Sequence, residues 1–241
     1  MEIDTKELQQ KIYQKLVPSG WGNRLKGFIL SEDFKNIIIK LNKSVEAGKR
    51  FSPTFKQIFR CFEECPYDNL KVVMLFDKPY SIPKMADGIP ISSNLGEQEC
   101  MRNMINEIRE TMYIDQPGTI SDMTFWTKQG VLMLNASLTT ELYPGKDHFK
   151  IWEPFIVYLL DMLKAYNPGL VYAVLGKENA RLLATKHLED ENPIFSTDPT
   201  EYNSKFGNWE SQHLLIKIND KLIFNNGESA KINWLEMLES N

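Results

Sequence analysis

The chain has 241 residues, of which 42% are hydrophobic, 25% charged and 11% aromatic, and its formal net charge is −4. That is enough chain for one large α/β domain, and the acidic balance excludes a protein that binds nucleic acid through a general cationic surplus, leaving open one positive groove on an acidic body. No apolar run approaches membrane-spanning length and no signal-peptide pattern is present, so an unanchored cytoplasmic or nuclear protein with no membrane contact is expected.

Asp4 followed by Glu7 resembles a capping box that opens a helix to about Leu16. Ser31 caps a second helix over Glu32 to Glu46. Ser52-Pro53 reads as a cap and first helical residue, with Phe55, Ile58, Phe59 and Phe62 following at helical spacing. The first strand is Lys71 to Leu75. A long loop to about Asn94 leads into a helix from Glu97 to Tyr113, and Ser121 caps a short helix holding Phe125 and Trp126. Val131 to Ala136 is the second strand. A loop to His148 and an apolar helix from Trp152 to Tyr166 follow, stopped by Asn167-Pro168-Gly169. Leu170 to Leu175 is the third strand, Asn179 to Thr185 a helix and Pro193 to Phe195 a short fourth strand. A helix near Trp209 to Ile216, a polar turn at Asn225-Asn226-Gly227 and a last helix near Ala230 to Leu238 complete the pattern.

Strands alternating with helices predict an α/β fold with a central four-stranded parallel sheet flanked by helices on both faces. Residues 1–241 are expected to form a single domain whose first 50 residues are helical. Ligands of such sheets sit outside the carboxyl ends of the strands, so a site should be built from the loops starting at Phe76, Asn135, Gly176 and Ser196. Cys61, Cys65 and Cys100 have no disulfide or zinc spacing and are read as reduced thiols. His148, His187 and His213 lack ligand spacing, and no phosphate-cradling glycine motif occurs, so neither metal nor cofactor is expected.

The segment Val72-Val73-Met74-Leu75-Phe76-Asp77-Lys78-Pro79-Tyr80-Ser81, with Gly88 nine residues after the proline, resembles the water-activating loop of uracil-DNA glycosylases, V-V-I-L-G-Q-D-P-Y-H followed by H-G. Lys128-Gln129-Gly130-Val131-Leu132-Met133-Leu134-Asn135-Ala136-Ser137-Leu138-Thr139 is similar to the family's R-Q-G-V-L-L-L-N-T-V-L-T. His148, Trp152 and Phe155 fit its S-H…G-W-E-x-F spacing. Leu175-Gly176-Lys177 resembles its W-G-S turn, and Asp198-Pro199-Thr200-Glu201-Tyr202-Asn203 its H-P-S-P-L-S loop. The resemblance runs from about Phe51 to Leu215 and implies the three-layer fold of that family, base flipping on DNA, and no metal or cofactor.

Carried over position by position, the resemblance implies a base pocket of Tyr80, Ile91 and Asn135. Asn135 would read the Watson–Crick edge of a pyrimidine, since a side-chain amide offers a donor and an acceptor together. Tyr80 would block a C5 methyl, and Ile91 replaces a stacking Phe. A strand-ending Asn and a packed Tyr are the alternative readings of Asn135 and Tyr80. DNA contacts would come from Ser52 and Pro53, Gly176 and Lys177, Pro199, and Tyr202 as the wedge into the vacated stack. Two departures bear on catalysis. Lys78 stands where the family places an anionic Asp near the sugar, and Asp198 where it places a His that donates to the base; Ser81 replaces a second His.

Both swaps put the wrong sign against a positively charged sugar and an anionic leaving base. Lys78 and Asp198 pairing across a disused site is the simplest expectation. Asp77 acting as the base, Lys78 acting as an amine nucleophile, and a modified base suited to the altered pocket are the candidate rescues. The sequence therefore points first to a glycosylase-fold protein without ordinary uracil excision that binds single- or double-stranded DNA or acts as a replication or repair accessory with a protein partner, as some viral relatives of the fold do. An active DNA glycosylase for uracil or a modified pyrimidine, and a fold reused for protein binding, are the alternatives.

Overall fold

A computed structural model describes residues 4–112, 121–200, 209 and 212–234. Four parallel strands, β2 (Val72–Phe76), β3 (Val131–Asn135), β5 (Val171–Val174) and β6 (Ile194–Phe195), form one sheet in the order β3-β2-β5-β6. Every residue of β2, β3 and β5 is buried. Strands covered on both faces need no polar alternation, and this explains why they read as unbroken apolar runs. Helices surround the sheet as the three-layer α/β/α arrangement expects.

The first three helices are α1 (Thr5–Leu16), α2 (Trp21–Ile29) and α3 (Glu32–Glu46). The Asp4 side chain accepts from the Glu7 amide and the Ser31 side chain from the Phe34 amide, as the sequence predicted for both caps. The helix α2 was not anticipated. Its buried Trp21, Leu25, Phe28 and Ile29 dock on the body, where the Trp21 indole stands edge-on to Phe62 and Tyr67 and donates to the Cys65 carbonyl.

Ser52-Pro53 does not open a helix. Phe51–Ser52 is a short strand, β1, paired antiparallel with Thr140–Glu141, β4, and the Ser52–Pro53 peptide is cis. Pairing with a segment almost ninety residues away holds this backbone extended; the helix α4 starts only at Arg60 and runs to Glu64.

Next in order are α5 (Glu99–Met112), α6 (Thr124–Lys128), α7 (Phe149–Tyr166), α8 (Asn179–His187) and α9 (Leu214–Asn226). The Thr124 amide that opens α6 is capped by Asp122 rather than Ser121. The helix expected from Trp209 begins at Leu214 instead; Gly227 ends it, where the polar turn was read. Where a helix over Ala230 to Leu238 was expected, a 3-10 turn, Glu228–Ala230, ends at Ala230 and residues 231–234 are not helical; residues 235–241 lie outside the described residues. All three cysteines are buried and free. Among the described residues no helix is long and apolar enough to cross a membrane.

Candidate active site

The strand register brings the expected loops together. Phe76 is the partner of Asn135 across β2 and β3, and Leu75 is the partner of Val174 across β2 and β5. Beyond the strand ends, backbone bonds continue the pairing. The Phe76 carbonyl accepts from the Ala136 amide, the Asp77 carbonyl from Ser137, and the Leu75 carbonyl from Leu175 and Gly176. The Ser81 carbonyl accepts from Tyr143, tying the Pro79 turn to the loop beside β4. Loops stapled this way can hold side chains in fixed relation.

A cleft of about 360 Å³ opens there, lined by residues from all four loops, among them Lys78, Tyr80, Asn135, Lys177 and Asp198. A deeper recess of about 10 Å³, room for roughly one water, adjoins it. Pro79, Tyr80, Pro90, Ile91 and Asn135 line both spaces and so form the threshold between them, whereas Lys78, Gly176, Lys177, Asp198 and Thr200 line only the outer cleft.

Asn135 is 6% exposed, and its side-chain oxygen is buried without a hydrogen-bond partner. A buried amide oxygen without a partner among the described residues costs stability. The strand-ending alternative, in which the side chain bonds its own backbone, fails for this oxygen. The Tyr80 hydroxyl donates to the Ile91 carbonyl at 3.1 Å. Burial, followed by the nearby Cys100, Asp198 and Asp87, raises the phenol above its ordinary range, so it stays neutral and remains a donor.

Ile91 itself sits at φ +59°, a left-handed conformation that a β-branched residue adopts only when its surroundings impose it. Those surroundings are identifiable. The buried Asp87 carboxylate accepts from the Ile89 amide and the Ser92 hydroxyl and pairs with Arg60, which also pairs with Asp122. Gly88, at φ +99°, lies so close to the Gln57 carbonyl that an added Cβ would stand 1.9 Å from that oxygen. The 87–92 loop is therefore clamped with Ile91 presented at the threshold.

Asp77 is committed elsewhere. Its carboxylate accepts from the backbone amides of Lys177 (2.9 Å), Glu178 (3.2 Å) and Ala180 (2.8 Å), capping the start of α8 from across the sheet. Gly176 permits this approach, since a Cβ there would lie 2.6 Å from Asp77 Oδ1. Lys78 is exposed at the cleft wall. Asp198 Oδ1 accepts from the amide and hydroxyl of Thr200, an Asx turn, and the charge of its carboxylate acts on both Tyr80 and Cys100. No ion pair within 4.0 Å joins Lys78 to Asp198 among the described residues. The expected pairing is thus corrected: the turn fixes Asp198 locally on one wall, and Lys78 stays solvated on another.

Behind the Asn135 loop, the Thr139 hydroxyl takes the Trp152 indole N–H at 2.8 Å and hydrogen-bonds to His148 Nδ1 at 2.9 Å. Burial lowers the His148 pKa, so this ring is neutral near neutral pH and supports the loop rather than lining the cleft. Ser52 is buried at the edge of this region, and the Pro199 carbonyl accepts from Asn103. Tyr202 lies outside the described residues. Among the described residues no group of three or more His, Cys, Asp or Glu side chains is arranged to hold a metal ion.

Comparison with known proteins gives one consistent answer. No family model matches the chain. A uracil-DNA glycosylase of Amoebophilus asiaticus is 34% identical over 191 residues, covering 76% of this chain and 82% of the relative. One from Acinetobacter baumannii is 30% identical over 191 residues, covering 76% and 80%. The chain belongs to the uracil-DNA glycosylase family. The crystal structure of mimivirus uracil-DNA glycosylase superposes with a TM-score of 0.73 at 22% identity, over 87% of this chain and 84% of that one. A Nitratifractor salsuginis glycosylase structure superposes at 0.61 with 16% identity, over 91% and 97%. A point mutant of the mimivirus enzyme was crystallised in complex with the protein UGI.

Within the glycosylase fold, reasoning from sequence missed two participants. Cys100 lines the cleft from α5, and Asp87 clamps the loop that carries Ile91. The sequence signal for Asp87 was its place beside Gly88, which only a tight loop explains.

Proposed function

We propose that this glycosylase-family protein binds DNA and holds an extruded pyrimidine against Asn135 without hydrolysing its glycosidic bond by carboxylate-activated water. The observation that carries this reading is the pairing of an intact base-reading group with a missing acid. Asn135 keeps a buried, unbonded amide oxygen at the threshold of the cleft. The nearest sequence candidate for a replacement base, Asp77, has both oxygens engaged by the amides of α8.

Hydrolysis develops positive charge on the sugar and negative charge on the base. A cation at Lys78 and a carboxylate at Asp198 oppose both, and losing one preorganised electrostatic group already costs about 10²–10³ in rate. Lys78 and Lys177 instead suit the phosphates that flank an extruded nucleotide. A role beside replication or repair proteins fits a DNA-binding member of this family without excision activity.

The reading is tested by binding and excision measured on the same DNA. Uracil-containing single-stranded and duplex oligonucleotides should be bound in a salt-sensitive manner. Asn135→Ala should reduce the preference for uracil over an unmodified base, and no abasic product should accumulate above the protein-free control. Uracil release by the native protein, lost on Asp77→Ala or Lys78→Ala, overturns it.

A further inference from the structure

We propose that the Lys78 amine is a carbonyl-capturing nucleophile whose substrate class is the ring-opened aldehyde of an abasic deoxyribose in DNA. The inference rests on the reading that the cleft receives an extrahelical nucleotide, and it adds covalent chemistry to a lysine to which that reading gives only phosphates.

The division of the cleft carries it. A nucleotide whose base edge reaches Asn135 from the outer cleft leaves its sugar and phosphates beside the residues that line only that outer space. Lys78 is one of these, on the turn that also supplies Pro79 and Tyr80. Its Nζ takes part in no hydrogen bond or ion pair with a described residue. Asp77, the carboxylate next to it in sequence, is turned to the amides of α8 and does not quench the amine. Asp198 stands on the same cleft with Oδ1 held by Thr200 and Oδ2 without a hydrogen-bond partner among the described residues, so one carboxylate oxygen is available there as a proton acceptor.

An abasic site supplies what this arrangement requires. It needs no leaving-group protonation, because the base is already gone, and its open-chain form presents an electrophilic C1′ aldehyde. The free-base form of the Lys78 amine attacks C1′, forming the C–N bond while the carbonyl π electrons move to oxygen. Transfer of both nitrogen protons to that oxygen releases it as water and leaves an imine, which a proton from solvent converts to the iminium. Asp198 Oδ2 then takes a C2′ proton; the electron pair forms the C2′–C3′ double bond, and the C3′–O bond breaks with the phosphate leaving as the anion. No oxidant or reductant is consumed.

The experiment uses the full chain and three DNAs: one with a natural abasic site, one with a reduced, tetrahydrofuran abasic analogue, and one undamaged. Sodium borohydride added during incubation reduces an imine to a stable secondary amine that is read as a slower band on a denaturing gel. The expected result is an adduct on the natural abasic DNA alone, mapped by mass spectrometry to the peptide carrying Lys78 and lost in Lys78→Ala and Lys78→Arg. Asp198→Asn should leave the trapped adduct and slow strand cleavage.

Folding of each variant is checked by circular dichroism, and the native protein's binding to the tetrahydrofuran DNA by gel shift. If that DNA is bound and no adduct forms, or if the adduct persists in Lys78→Ala or maps to another lysine, the amine chemistry is overturned while the nucleotide-binding reading stands. If neither abasic DNA is bound above undamaged DNA, the underlying reading fails as well.

Discussion

Asp77 Oδ1 lies 2.8 Å from the backbone nitrogen of Ala180, and its other oxygen takes the amides of Lys177 and Glu178, so a residue of the turn after β2 serves as the anionic cap of a helix one hundred residues away. A carboxylate at a helix N-terminus satisfies donors that the helix cannot and opposes its positive dipole end. Asp77 therefore belongs to the framework, and its loss should register in stability. Asp77→Ala is expected to destabilise the protein by about 1–3 kcal/mol, and Asp77→Asn by less, in urea unfolding. An unchanged midpoint for Asp77→Ala would show that the cap contributes nothing.

Gly88 combines φ +99° with a Cβ position 1.9 Å from the Gln57 carbonyl oxygen. Gly88→Ala should cost about 2–4 kcal/mol through backbone strain and overpacking. Because Gly88 adjoins the loop that positions Ile91, DNA affinity should fall with it. Circular-dichroism melting together with a gel shift measures both.

Asn135 holds a buried oxygen with no hydrogen-bond partner among the described residues, which lowers stability. Asn135→Leu, similar in volume and free of that penalty, is expected to raise stability by about 1 kcal/mol while abolishing the preference for uracil-containing DNA. A variant that loses both stability and binding would mean that the side chain is structural.

Glu107 on α5 is 4% exposed and directed at the Leu214 and Leu215 amides that begin α9, with Lys217 on that helix and Glu110 on its own as neighbouring charges. Neither of its oxygens achieves a hydrogen bond. Burial is the largest cause and raises its pKa from 4.5 to about 7. The folded state thus holds a proton that the unfolded state releases, and stability falls as pH rises from about 4.5 to about 7, then levels. Glu107→Gln should be more stable than the native protein by about 1–3 kcal/mol at pH 8, with the difference vanishing toward pH 4. Denaturation midpoints across that range give the slope.

Much of this was legible because it is local. Unbroken apolar runs marked β2, β3 and β5, and alternation with helices implied a parallel sheet whose carboxyl ends carry the site. Asp4 and Ser31 announced their helices through caps that need only neighbouring residues. What stayed hidden was non-local. Ser52 pairs with Thr140, so a local helix signal gave way to a strand. Nothing was assigned between Leu16 and Ser31, and the helix that Trp21 anchors in an aromatic cluster went unread there. The opposite signs of Lys78 and Asp198 were visible, but the Asx turn with Thr200 and the cleft between them were not, and the capping role of Asp77 depends on an α8 that only the fold brings near.

The central claim is that this family member keeps base recognition and has lost ordinary excision. Its most direct test is single-turnover release of uracil from uracil-containing DNA, with protein in excess and DNA occupancy confirmed by gel shift in the same reaction. The account predicts a bound complex whose formation depends on Asn135, with uracil release no faster than in DNA alone. Release well above that background from the native protein, abolished by Asp77→Ala or Lys78→Ala, would contradict it.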